Sequence, residues 1–80
     1  MFVYFEMETT NEEKVRKQIL SNLSVTELDL SGYGKPESEK LQELPTEIEK
    51  LTNLKILYLY NNKLTQLPTE IVKLTNILLR

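Results

Sequence analysis

The chain has no cysteine and no histidine among its 80 residues. Without cysteine there is neither a disulfide staple nor thiol chemistry. Structural zinc takes Cys or His ligands, so that kind of site is excluded as well. Cations are few and scattered: ten Lys and Arg stand against twelve Asp and Glu, for a formal net charge of −2. Nucleic-acid affinity rests mainly on clustered cations, so a phosphate-binding surface is not expected, and neither is a polybasic membrane anchor. No run approaches the ~18 apolar residues of a membrane span. The opening MFVYFEM is apolar, yet it is shorter than a secretory core segment and has no basic stretch before it. The expected compartment is therefore the cytoplasm. At this length one domain is the ceiling, and folding buries only about 60% of the unfolded surface, which leaves stability marginal.

What the chain does have is a repeat. Leu44–Asn53 reads LPTEIEKLTN and Leu67–Asn76 reads LPTEIVKLTN, 23 residues on, with Glu49 against Val72 as the one difference. A fixed period in the low twenties is the mark of a stacked solenoid. The clearest unit starts at Leu54. Its apolar positions are Leu54, Leu57, Leu59, Leu64, Leu67, Ile71 and Leu74, with Asn62 between the two groups. This is the leucine-rich spacing L-x-x-L-x-L-x-x-N-x-L. Leu57 and Leu59 alternate and so share one face of a short strand. Asn62 is expected to end that strand at a turn, where its amide satisfies backbone groups left open. Pro68 suits the first turn of a short helical segment, whose inner face carries Ile71 and Leu74.

The unit before it has Val25, Leu28, Leu30, Leu41, Leu44, Ile48 and Leu51 as core positions. Leu30 to Leu41 spans eleven residues where Leu59 to Leu64 spans five, so six extra residues lie within Gly32–Lys40. That stretch is polar and bears Gly and Pro, which predicts a surface loop. Its Gly32-Tyr33-Gly34-Lys35 has only a superficial likeness to a phosphate loop, since Asp29 and Pro36 stand where Gly and Ser/Thr are required. A third unit opens at Ile77 with its strand start alone. Upstream, Thr10-Asn11-Glu12-Glu13 fits a capping box. Val15, Ile19 and Leu23, with Leu20 beside them, predict an amphipathic helix that covers Leu28 and Leu30. The expected layout is an apolar arm or strand over 1–8, a capping helix over 9–23 and repeats over 24–80.

Leu44-Pro45-Thr46-Glu47-Ile48, Leu67-Pro68-Thr69-Glu70-Ile71 and Leu57-Tyr58-Leu59-Tyr60-Asn61-Asn62 resemble the bacterial leucine-rich repeat family in its L-P-x-E-I-x-x-L-x-x-L form. The charged helix followed by Thr26-Glu27-Leu28-Asp29-Leu30-Ser31 is similar to the N-terminal end of the repeat domains in bacterial Ras-of-complex proteins. The resemblance implies an α/β fold: a curved solenoid with parallel strands on the concave face, short helical or 3₁₀ segments on the convex one, and an N-terminal capping helix. It also implies protein binding on the concave face, and no GTPase sequence accompanies it.

Between the core leucines, the strand positions expected to be exposed are Glu27, Asp29 and Ser31, then Ile56, Tyr58 and Tyr60. Leu79, 23 residues after Ile56, would continue their row. Tyrosines on a rigid sheet make good interface anchors, with large area and few rotatable bonds. Ile56, Tyr58, Tyr60 and Leu79 are thus the expected protein-binding residues, although Tyr also favours strands for its own sake. Leu74, Ile77, Leu78 and Leu79 end the sequence with nothing following to cover them. Each such side chain left wet forfeits roughly 1.5–3 kcal/mol, and several together rival the ~5 kcal/mol at the low end of domain stability. These four residues are the expected self-association edge. The acidic pairs Glu37 with Glu39 and Glu47 with Glu49 sit on polar faces without a neighbouring nucleophile and base, which predicts solvated faces and no metal or cofactor. The function expected is a non-enzymatic protein-interaction module that forms a homo-oligomer, a dimer being the simplest. The alternative is a truncated or engineered repeat fragment that serves as a building piece.

Overall fold

A computed structural model describes residues 10–80. The expected arm over 1–8 lies outside the described residues. The rest is a mixed α/β chain with one helix, α1 (Asn11–Ser21), and three short strands, β1 (Glu27–Asp29), β2 (Ile56–Tyr58) and β3 (Leu78–Leu79). The strands form one parallel sheet in the order β1-β2-β3. Among the described residues no helix is long and apolar enough to cross a membrane.

Helix α1 starts where the capping signal lies. Thr10 has extended backbone angles, and its hydroxyl accepts from the Glu13 N–H at 3.1 Å. The carboxylate of Glu13 turns to Arg16 at 3.5 Å. Val15 and Ile19 are buried, but Leu20 and Leu23 are exposed. The helix is therefore shorter than the apolar spacing predicts. It ends at Ser21, whose hydroxyl donates to the Gln18 carbonyl, and Asn22 leaves the helix in an extended conformation with its side chain accepting from Ser24 N–H. These local bonds offer the backbone an alternative to another turn, and Leu23 is left outside the buried face.

After β1 and β2 the chain returns along the side opposite the open face of the sheet. Each return carries a 3₁₀ turn, Thr46–Lys50 after Pro45 and Thr69–Lys73 after Pro68. Both prolines hold φ near −60°, which suits the entry to a helical turn. Between these turns and the sheet lies the core. Ile19, Ile48, Leu51 and Leu57 are fully buried, and Leu28, Leu30, Leu41, Leu44, Leu54 and Leu74 pack around them. Burial fades toward β3: Ile71 is only partly buried where its counterpart Ile48 is fully enclosed.

Ion pairs run along the outside of the returns. Arg16 of α1 meets Glu47 at 3.1 Å, and Glu49 meets Lys73 of the following turn at 3.3 Å. The insertion Gly32–Lys40 contains a short 3₁₀ turn, Glu37–Glu39, and is tied at both ends. The Asn11 side-chain amide donates to the carbonyls of Ser38 and Lys40, while Glu37 lies 2.9 Å from Lys40 and 3.0 Å from Lys63.

Candidate protein-binding surface

Alternation along β1 and β2 places Leu28 and Leu57 in the core and turns Glu27, Asp29, Ile56 and Tyr58 to the open face. Register pairs Glu27 with Ile56 and Asp29 with Tyr58. The rows so formed run from carboxylate to aliphatic or aromatic side chain. Tyr60 extends the patch past the end of β2 and is 44% exposed. Its ring meets that of Tyr58 edge to face, with centroids 6.4 Å apart and planes at 83°. That geometry suits the ring quadrupoles and favours the rotamers in which the two rings touch. The structure thus brings together Ile56, Tyr58 and Tyr60.

Leu79 does not join them. β3 pairs with β2 at an offset of 22 residues, Ile56 with Leu78 and Leu57 with Leu79. A shift of one residue exchanges the two faces of a strand. Leu78 therefore continues the open-face row, and Leu79 lies beside Leu57 on the core side. The period of the repeat would set Arg80 beside Leu57, at a place where Leu79 remains 42% exposed; a leucine there covers more of the core than an arginine whose charged head must stay in water. Shortening the step from Ile77 puts a leucine in that place and leaves Arg80 on the open side.

Ser31 also departs from expectation. It is buried, and its N–H donates to the Asp29 carboxylate at 2.9 Å. Hydrogen bonds from the side chain and backbone of Ser31 hold the Asp29 carboxyl below its ordinary value, with some help from Lys35. Asp29 is consequently an anion at neutral pH on the β1 side of the patch.

The β3 edge is partly as expected. Leu78 and Leu79 are 47% and 42% exposed, and Ile77 is partly buried. Leu74, however, is enclosed in the core and does not belong to the edge. It is held there because the 3₁₀ turn before it directs its side chain inward, as the preceding turn does for Leu51. Two further side chains enlarge the edge, Leu67 and Val72, and Val72 is 73% exposed. Val72 was readable in principle. It is the single difference between the two ten-residue blocks, and it replaces the carboxylate that Glu49 offers to Lys73.

The remaining candidates are engaged structurally. Gly32 gives its N–H to the Tyr60 carbonyl at 2.9 Å, so that donor is not free for a phosphate. Lys40 and, second, Lys63 hold the exposed Glu37 carboxyl below its ordinary range. Glu47 is lowered as well, first by its own backbone N–H and then by Arg16, against the opposing effect of burial. Among the described residues no group of three or more acidic side chains is placed to hold a metal ion. Comparison of the chain with protein-family models, curated proteins and solved structures gives no match.

Proposed function

We propose that the chain is a non-enzymatic protein-interaction module, built as a short leucine-rich repeat solenoid of the bacterial type. It binds protein on the concave face of its sheet through Ile56, Tyr58 and Tyr60, with Leu78 beside them, and it associates with itself along the β3 edge. The observation that carries this reading is the ordered pair Tyr58–Tyr60, set on a sheet whose far edge exposes Leu78 and Leu79. Large aromatic side chains have few rotatable bonds, and two that already rest on each other lose little freedom on binding. Apolar side chains at an unpaired strand edge favour association. The two near-identical blocks, the parallel strands and the 3₁₀ returns all support the repeat reading. In the same reading the module works in the cytoplasm, on protein partners and not on nucleic acid or membrane.

Sedimentation velocity on the purified chain over a wide concentration range tests this. The weight-average mass should rise toward that of a dimer, and Tyr58→Ala with Tyr60→Ala should leave that rise intact. A mass that stays monomeric from micromolar to millimolar concentration rejects the self-association half of the reading.

A further inference from the structure

We propose that two copies join antiparallel through the free edges of β3, about a two-fold axis beside Leu79, so that the two sheets become one. This rests on the self-association reading and adds the arrangement to it. The backbone of β3 dictates the register. Leu78 N–H donates to the Lys55 carbonyl at 2.7 Å, Arg80 N–H donates to Leu57 at 3.0 Å, and Leu59 N–H donates to Arg80 at 2.8 Å. Leu78 and Arg80 therefore face β2. Backbone groups alternate along a strand, so the N–H and C=O of Leu79 point away from the sheet. One donor and one acceptor on a single residue are complemented by the same residue of an antiparallel copy, which exchanges both bonds with it. A closed two-fold contact of this kind is self-complementary by construction.

The side chains choose a second copy over another turn of the same repeat. Between the existing turns, the Glu49 position supplies a carboxylate to Lys73 of the next. At the edge that position is Val72. One more parallel turn with its lysine at the matching place would meet an isopropyl group there, so the ion pair that links the existing turns would not recur. A second copy instead sets apolar side chain against apolar side chain at the centre of the edge. Leu79, which lies on the core side beside fully buried Leu57, is covered by Leu79 of the second copy. The sole cation of the short strand's end, Arg80, remains on the open face across from Leu78 of the second copy. The same joining sets the two tyrosine rows on one continuous face, which makes the bound protein's site two-fold as well.

The absence of native cysteine makes the test direct. Leu79→Cys places two thiols at a hydrogen-bonded antiparallel pair, where Cα atoms lie ~5.5 Å apart, within disulfide reach. Leu78→Cys places them diagonally, at roughly 8 Å and on the opposite face, beyond that reach. Under mild oxidation at a concentration where the chain is dimeric, Leu79→Cys should cross-link at least about tenfold faster than Leu78→Cys. In the unaltered protein, the Leu79 amide should exchange more slowly as concentration rises. A dimer in which Leu78→Cys cross-links faster, or in which Leu79 exchange is independent of concentration, overturns the arrangement but leaves self-association standing. A chain that stays monomeric overturns both. The exchange measurement decides the matter even if a cysteine variant fails to fold.

Discussion

The Asn62 side-chain amide donates to the Leu30 carbonyl at 2.7 Å, a contact between residues 32 apart in sequence. The same amide nitrogen donates to the Leu59 carbonyl at 3.0 Å, and its oxygen accepts from Leu41 N–H at 2.9 Å. One side chain thus closes the turn after β2 and holds both ends of the insertion in the preceding unit. Only an amide has a donor and an acceptor in this relation. Asn62→Ala should cost about 3 kcal/mol in urea unfolding, since it leaves partly buried backbone groups without partners. Asn62→Asp should cost at least as much, because a carboxylate accepts from Leu41 but repels the two carbonyls. If the alanine variant unfolds at the wild-type midpoint, the bridge has no energetic weight.

The two glycines should respond differently to alanine. A Cβ on Gly32 would lie 2.0 Å from the carbonyl oxygen of Asn61, and that oxygen belongs to backbone that cannot swing away. Gly34 has open space around it but a φ of +75°, where an L side chain costs roughly 1–2 kcal/mol. Gly32→Ala should therefore be the more damaging by far, and it should disturb the Gly32–Tyr60 hydrogen bond and with it the tyrosine pair. Thermal melts of the two variants check the order. Equal losses would mean that the backbone at Asn61 yields more readily than its packing implies.

Much of this architecture was legible because the chemistry at each position is local. Thr10 ahead of Glu13, Pro68 ahead of Ile71, and the Leu57–Leu59 alternation each carry their own geometry. The turn role of Asn62 was also readable, though not the reach of its amide to Leu30 and Leu41, which depends on the insertion folding back. The misread residues have particular causes. The place of Leu79 follows from the period alone, and a period does not register a one-residue change of step between β2 and β3; Leu74 is set at the edge by its nearness to the end of the sequence, although the 3₁₀ turn before it directs its side chain into the core. Ser31 was assigned from alternation past the end of β1, where the Asp29 carboxylate has already captured its N–H. Leu23 was counted on a helical face that local side-chain bonds cut short at Ser21.

Stability should fall in acid through identifiable carboxylates. Ser31 holds Asp29 below its ordinary 3.8, and Lys40 with Lys63 hold Glu37 below its ordinary 4.5. A carboxyl depressed in the folded state stabilises it fully above the unfolded value, and that contribution is lost as pH falls through the folded value. The decline belongs below about pH 4.5 for Glu37 and below about pH 3.8 for Asp29. Asp29→Asn and Glu37→Gln should each flatten the acid limb of the unfolding midpoint against pH. Salt separates them. Glu37 is paired with lysines at the surface, so ~1 M NaCl should erase its share, whereas the short-range bond from Ser31 to Asp29 should persist. An acid limb unchanged in both variants would place the loss of stability elsewhere.

Arg80→Leu should move β3. The observed pairing of Leu57 with Leu79 is one residue short of the repeat period, and Arg80 is the residue that the period would set against buried Leu57. With leucine at position 80 that place becomes acceptable, and the sheet can recover the offset of the repeat. Because a one-residue slip exchanges faces, Leu79 would turn to the open side and Leu78 away from it. The exchange of backbone amides reports the change at concentrations where the chain is monomeric. In the unaltered protein Leu78 and Arg80 donate to Lys55 and Leu57, so their amides should be protected while that of Leu79 exchanges freely. In Arg80→Leu the pattern should invert, with Leu79 protected and its two neighbours exposed. Loss of β3 from a two-fold edge centred on Leu79 should follow, so the variant should also associate more weakly despite its added apolar side chain. A variant that keeps the original amide pattern would show that the step between Ile77 and Leu79, and not the charge at position 80, sets the register.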